Sequence, residues 1–151
     1  MRSVLALALV VFVAVASGCG GDTEAKNEYV DAVNKAQSDF VAVVDDSESR
    51  ISGHAGNEET ATQLDSIRAA AAKVVVGLRA VKPPGSVRTL HDNLIQEAQG
   101  LVTAFQKAAS AYRSGEPSKI LTAKVDLTKD VTRVNAQLNA TIQALNTKLH
   151  D

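Results

Sequence analysis

The residues with the most reactive side chains are few. The chain has one cysteine, Cys19, and three histidines, His54, His91 and His150. With a single cysteine no intramolecular disulfide is possible, and the thiol is a nucleophile wanting either burial or modification. His54 lies close in sequence to Asp45, Asp46, Glu48, Glu58 and Glu59. Hard oxygen ligands of that kind could form a weak divalent-cation site, although such a cluster more often forms a solvated tip. His91 precedes Asp92, and His150 is the penultimate residue; both are expected to be surface histidines. No Glu-x-x-His pair for a di-iron centre, no His-Glu-x-x-His for zinc, no Cys-x-x-Cys-His for haem and no Gly-x-Ser-x-Gly elbow occurs. Met1 is the sole methionine. The expectation is therefore a non-enzymatic protein with no catalytic residues, no metal and no cofactor.

Cys19 ends a distinctive stretch. Arg2 is followed by an uninterrupted apolar run from Val4 to Ala16, then by Ser17 and Gly18. A positive start, an apolar middle and a small-residue exit are the three parts of a secretory signal. The run is shorter than the roughly 20 apolar residues that cross a bilayer as a helix. The last residues, Ala16-Ser17-Gly18-Cys19, resemble the bacterial lipobox, with Ala16 where Leu or Val is commoner. That resemblance implies diacylglycerol on the Cys19 sulfur and cleavage just before it. Residues 1–18 are then a signal peptide, 19–23 a lipidated tether and 24–151 the folded domain. Acyl chains contribute about 0.8 kcal/mol per buried methylene, so two hold a protein stably where one does so marginally. Expected consequences are location at the extracytoplasmic face of the cell membrane, with the membrane itself as a partner through the lipid on Cys19. The whole chain also resembles, more loosely, the small helical lipoproteins of high-GC Gram-positive bacteria, from which no activity carries over.

Charge excludes another class. The full chain is −1, and losing residues 1–18 removes Arg2 and no acid, leaving −2. A nucleic-acid binder would show a basic stripe; none is present, and no nucleic-acid partner is expected. Signs are nonetheless uneven. Residues 22–50 are acidic, whereas residues 60–115 lean basic. The simplest expectation is that an acidic first helix pairs with basic middle helices inside one bundle.

Four helices must carry these residues. Tyr29, Val33, Ala36, Phe40, Val43, Ser47 and Ile51 recur at spacings of three and four, which defines one face of a helix starting near Thr23. Ser52 to Asn57 reads as a turn. A second helix follows from Asn57–Thr60, with Thr60 and Gln63 as a capping box and Leu64, Ile67, Ala71, Val74, Leu78 and Val81 as its stripe. Pro83-Pro84-Gly85 stops it. Ser86 is the expected N-cap of a third helix, striped by Val87, Leu90, Leu94, Ala98, Leu101, Phe105, Ala108 and Tyr112. Gly115 and Pro117 mark its end and the next start. The fourth helix is lined by Leu127, Val131, Val134, Leu138, Ile142, Leu145 and Leu149, with Lys124 on the same face signalling looser packing near its start.

Similar lengths and short turns predict an all-α, antiparallel up-down-up-down four-helix bundle. Phe40 and Phe105 fall at similar heights on helices one and three and are expected to meet. The start of helix one, the Pro83-Pro84-Gly85 turn and the C-terminus share the membrane-proximal end; the His54 and Gly115 turns form the distal tip. Asn135, Gln137, Asn139, Thr141, Gln143, Asn146 and Thr147 make helix four rich in uncharged polar groups, read as a solvated face or, more sharply, a partner surface. Two functions fit: an interaction or structural module meeting an envelope protein, or a carrier or sensor holding a small apolar ligand between the helices.

Overall fold

The structure, a computed structural model, describes residues 21–51 and 55–150. These residues fold as the all-α antiparallel four-helix bundle: α1 (Gly21–Ile51), α2 (Asn57–Ala80), α3 (Arg88–Ser114) and α4 (Pro117–His150). All the stripe residues of the fourth helix are buried, as are Leu64, Ile67, Ala71 and Leu78 of α2 and Leu94, Ala98, Leu101, Phe105 and Ala108 of α3. Several buried residues lie off the stripes: Val30 and Val44 on α1, Ala61, Ala70 and Val75 on α2, Ala104 and Ala109 on α3. Two of these helices, α2 and α3, each pack extensively on both chain neighbours, so a wider arc than one stripe is covered.

The helix ends differ from the sequence expectation in three places. α1 opens at Gly21, not near Thr23, so residues 21–23 of the expected tether are already helical. The Thr60–Gln63 capping box does not form, because α2 begins earlier: Gly56 is its N-cap, and the Thr60 amide already donates to Gly56 O at 2.9 Å. Glu58 and Glu59 in the first turn answer the positive helix end instead. Ser86 does not cap α3; it sits in a 3-10 turn, Gly85–Val87, whose Val87 amide donates to Pro84 O. Val87 is driven inward there and is fully buried. At the other end Gly115 takes φ +68° and donates to Tyr112 O, the left-handed turn that glycine permits without steric cost.

Phe40 and Phe105 both lie in the single core cluster. The ring pairing among the described residues, however, joins Tyr29 to His91, with centroids 5.6 Å apart in an edge-to-face arrangement.

α1 and α4 are the two helices that do not follow one another yet close the bundle. They make no extensive backbone approach and meet through side chains, such as Lys26 Nζ donating to Leu149 O at 3.0 Å. That contact sets their register at the end where α1 begins and α4 stops. From it α4 rises about 10 Å further than α1, at 1.5 Å per residue. Its first turns therefore outrun their neighbour, and Leu121 and Val125 stand 65% and 61% exposed. Packing is looser there, as Lys124 on the stripe foretold; its ammonium lies over the Tyr112 ring, 5.8 Å from the centroid.

Candidate functional site

Cys19 lies outside the described residues, and so does His54 with the turn that would carry a cation site. Gly21 begins α1 at the end of the bundle shared with the α4 C-terminus and the turn between α2 and α3, the end that the sequence reading expects to be membrane-proximal. That end is built around His91. Val87, His91, Leu94 and Ala98 follow helical spacing, which aims the imidazole into the core, and His91 is 4% exposed. The surface expectation for His91 is thus corrected: its spacing within the α3 stripe carried the signal. For His150 the structure describes only its place at the end of α4.

The imidazole ties three helices together. The Tyr29 hydroxyl of α1 lies 3.3 Å from His91 Nδ1, and His91 hydrogen-bonds the backbone of Leu78 in the last turn of α2. A carbonyl can only accept, so the ring N–H serves Leu78 and Nδ1 accepts the Tyr29 O–H. Burial holds His91 below the ordinary histidine range, against opposing help from Asp92 and the Leu78 bond. Burial also pushes the Tyr29 phenol up to about 12. At neutral pH both groups are uncharged and serve as a clasp.

The other buried polar groups divide between seams. Between α3 and α4, Thr141 Oγ1 donates to Glu97 Oε1 at 2.9 Å, and burial raises the Glu97 carboxyl despite that bond. Gly100 on α3 faces Val134 on α4. Both contacts place the 134/141 side of α4 against α3. Asn135, Asn139 and Asn146, at spacings of four and seven, therefore line the opposite side, toward α1. Their Oδ1 atoms are buried and carry no hydrogen-bond partner among the described residues. On α1, Glu48 Oε1 is in the same condition, and burial, then repulsion from Asp45, raises its carboxyl. Helix four is therefore not one solvated face: Thr141 is tied to α3, three asparagines lie in the α1 seam, and Gln137, Gln143 and Thr147 are exposed.

The charge expectation is also corrected. The ion pairs Lys35–Asp39, Arg50–Asp46, Arg68–Asp65 and Arg133–Asp130 lie within single helices, and Lys119 in the first turn of α4 reaches back to Glu116 in the turn before it. The cross-helix pairing joins Arg113 of α3 to Asp65 and Glu58 of α2. Burial pushes Asp65 up, but the bonds and charges of Arg113 and Arg68 outweigh it and hold it below the usual range. Among the described residues no acid of α1 pairs with a base of α2 or α3; Glu24, Glu28, Asp31, Asp39, Asp45 and Asp46 are exposed, and Glu48 alone of the described α1 acids is half-buried.

Two hollows complete the surface. A core cavity of about 60 Å³ is lined by all four helices, including Val33, Phe40, Ala71, Leu94, Leu138 and Ile142, with Gln37 as its polar member. An open groove of about 530 Å³ runs between the distal ends of α3 and α4, where small residues such as Ala104, Ala111 and Ala123 face each other. Among the described residues no group of three or more His, Cys, Asp or Glu side chains could hold a metal ion, and no helix is long and apolar enough to cross a membrane. No protein-family model, no curated protein and no solved structure matches the chain.

Proposed function

We propose that this chain is a lipid-anchored, extracytoplasmic helical bundle acting as a non-enzymatic interaction or structural module. The observation that carries the reading is the immediate succession of the small-residue exit, Cys19 and α1. The apolar run ends at Ala16, and the helix opens at Gly21. A diacylglycerol on Cys19 would then sit almost at the first turn of a rigid rod, and the bundle would stand on its proximal end.

The polar interior supports a scaffolding role. His91 is committed to Tyr29 and Leu78, and Glu97 to Thr141, so these groups hold helices together. The alternative, a carrier for an apolar molecule, would draw on the core cavity. At about 60 Å³ it falls well short of the roughly 300–1,000 Å³ of ordinary ligand sites; the α3–α4 groove has that size but is open and carries Lys107, Lys119, Asp126 and Asp130 on its walls, which favours the module over an apolar carrier.

Labelling cells with a fatty-acid analogue and comparing the wild type with Cys19→Ser tests the anchor. The wild type should take up label and fractionate with membranes, and the variant should do neither. A wild type without label, or a variant that stays equally membrane-bound, overturns the reading. Crosslinking in the native membrane then identifies what the module meets.

A further inference from the structure

The exposed, unpaired charge on α1 and that around the end of α2 and the start of α3 differ in sign. On the α1 corner Glu24, Glu28, Asp31 and Asp45 are exposed without a basic partner among the described residues. The outer surface of α2 near its end, the turn after it and the start of α3 carry Lys73, Arg79, Lys82 and Arg88, exposed and without a carboxylate partner among the described residues, against one acid, Asp92. Arg79 is oriented by Gln99 Oε1 at 3.1 Å. Lys82 and Arg88 flank the Pro83-Pro84 turn, whose fixed φ angles hold their spacing. In the middle of these cations Val76 projects from α2, 68% exposed. Cations around an exposed apolar side chain form the surface that sits at a bilayer interface.

We infer that this surface, Lys73, Val76, Arg79, Lys82 and Arg88, docks on anionic lipid headgroups, so that the bundle leans onto the membrane and turns its acidic α1 corner away. The inference rests on the anchored reading for its geometry: the chain before Gly21 leaves the bundle at the same end as this patch. A second copy offering its acidic α1 corner would match the charges too. Lipid is favoured because that corner runs the length of α1, whereas the cations gather at the anchored end around a single apolar residue.

The test uses the mature lipid-bearing protein in vesicles of phosphatidylcholine alone, or with about one third phosphatidylglycerol, each doped with a nickel-chelating lipid. A spin label replaces Val76 (Val76→Cys; the Cys19 thiol is taken by lipid), and a control label replaces Ser38 on the α1 exterior. Phosphatidylglycerol should raise nickel relaxation at position 76 at least about fivefold and leave position 38 unchanged. Each Lys or Arg near an anionic surface contributes about a factor of five, so Lys82→Glu with Arg88→Glu should abolish the gain, as should about 0.5 M salt. Both residues are exposed and outside the ion pairs of the bundle, so the thermal melt of that variant checks that the fold persists. Equal relaxation in the two lipids, an unchanged signal in the double variant, or contact at position 38 overturns the proposal. A signal that appears without phosphatidylglycerol and fades on dilution also overturns it, assigning the patch to a second copy. The fatty-acid label on Cys19 is read separately, so a missing anchor is not confused with an inert patch.

Discussion

Replacing Tyr29 by Phe removes one oxygen from the proximal clasp and keeps the ring. The His91 Nδ1 acceptor, 3.3 Å from that oxygen, is then left buried and unmatched. An unsatisfied buried group costs about 1–3 kcal/mol, and the contact is long for an O–H donor, which places the loss near the lower end, about 1–2 kcal/mol. For a domain of this size 1 kcal/mol shifts the melting midpoint by about 3–5 °C, so Tyr29→Phe should melt about 3–10 °C lower at pH 7.5. The difference should also depend on pH. Burial holds the folded His91 value below the unfolded one, so the unfolded state binds more protons in between. Stability from neutral His91 is complete above about pH 6.5, the unfolded value, and is lost as pH falls from there through the lower folded value. A protonated Nδ1 cannot accept the Tyr29 O–H, so the gap between wild type and variant should narrow in acid. The raised carboxyls of Glu48 and Glu97 act in the opposite direction, gaining stability as they protonate, but equally in both proteins. Melts of the pair across pH 4.5–8 by circular dichroism provide the readout. Coincident midpoints at pH 7.5, or a gap that stays constant with pH, would refute the clasp.

Four other substitutions follow from the packing and the backbone. Phe105, fully buried, should lose about 3–5 kcal/mol on truncation to Ala; an unchanged urea midpoint would remove it from the core. Gly77 is exposed within α2, with open space where a methyl group would project, so Gly77→Ala should add about 1 kcal/mol, whereas Gly115→Ala, at φ +68°, should subtract about 1 kcal/mol; equal effects would contradict the assigned backbone. Asn139→Leu removes a buried oxygen without a partner among the described residues and should raise the urea midpoint by about 1 kcal/mol of stability, while a lower midpoint would mean that the amide is engaged.

The helical period was enough to place the bundle. Leu127 through Leu149 kept one face without interruption, and Pro83-Pro84-Gly85 and Gly115 ended helices where proline and glycine chemistry requires. Caps were less legible, because Thr60 and Ser86 have the right side chains but the backbone reaches its turns elsewhere, at Gly56 and in the 3-10 turn. At His91 residue type and spacing disagree: histidine suggests a surface, while Val87, Leu94 and Ala98 mark the position as interior, and spacing prevails. The α1–α4 seam could not be read, since Asn135, Asn139 and Asn146 resemble any solvated row until Thr141 and Val134 fix which side α3 takes. Charge misled because its sum along a segment does not say where each group points.

The packing of each helix chiefly on its chain neighbour bears on how the protein is made. Contacts between consecutive helices are short in sequence, and chains dominated by such contacts fold quickly. A chain synthesised from its N-terminus can dock α2 on α1, then α3 on α2, without waiting for its tail. The last event would be closure of α4 on α1, where three asparagine oxygens are buried without a partner among the described residues. Assembly would therefore be stepwise and end on its weakest joint, leaving α1 as the strut most readily parted from the finished rod.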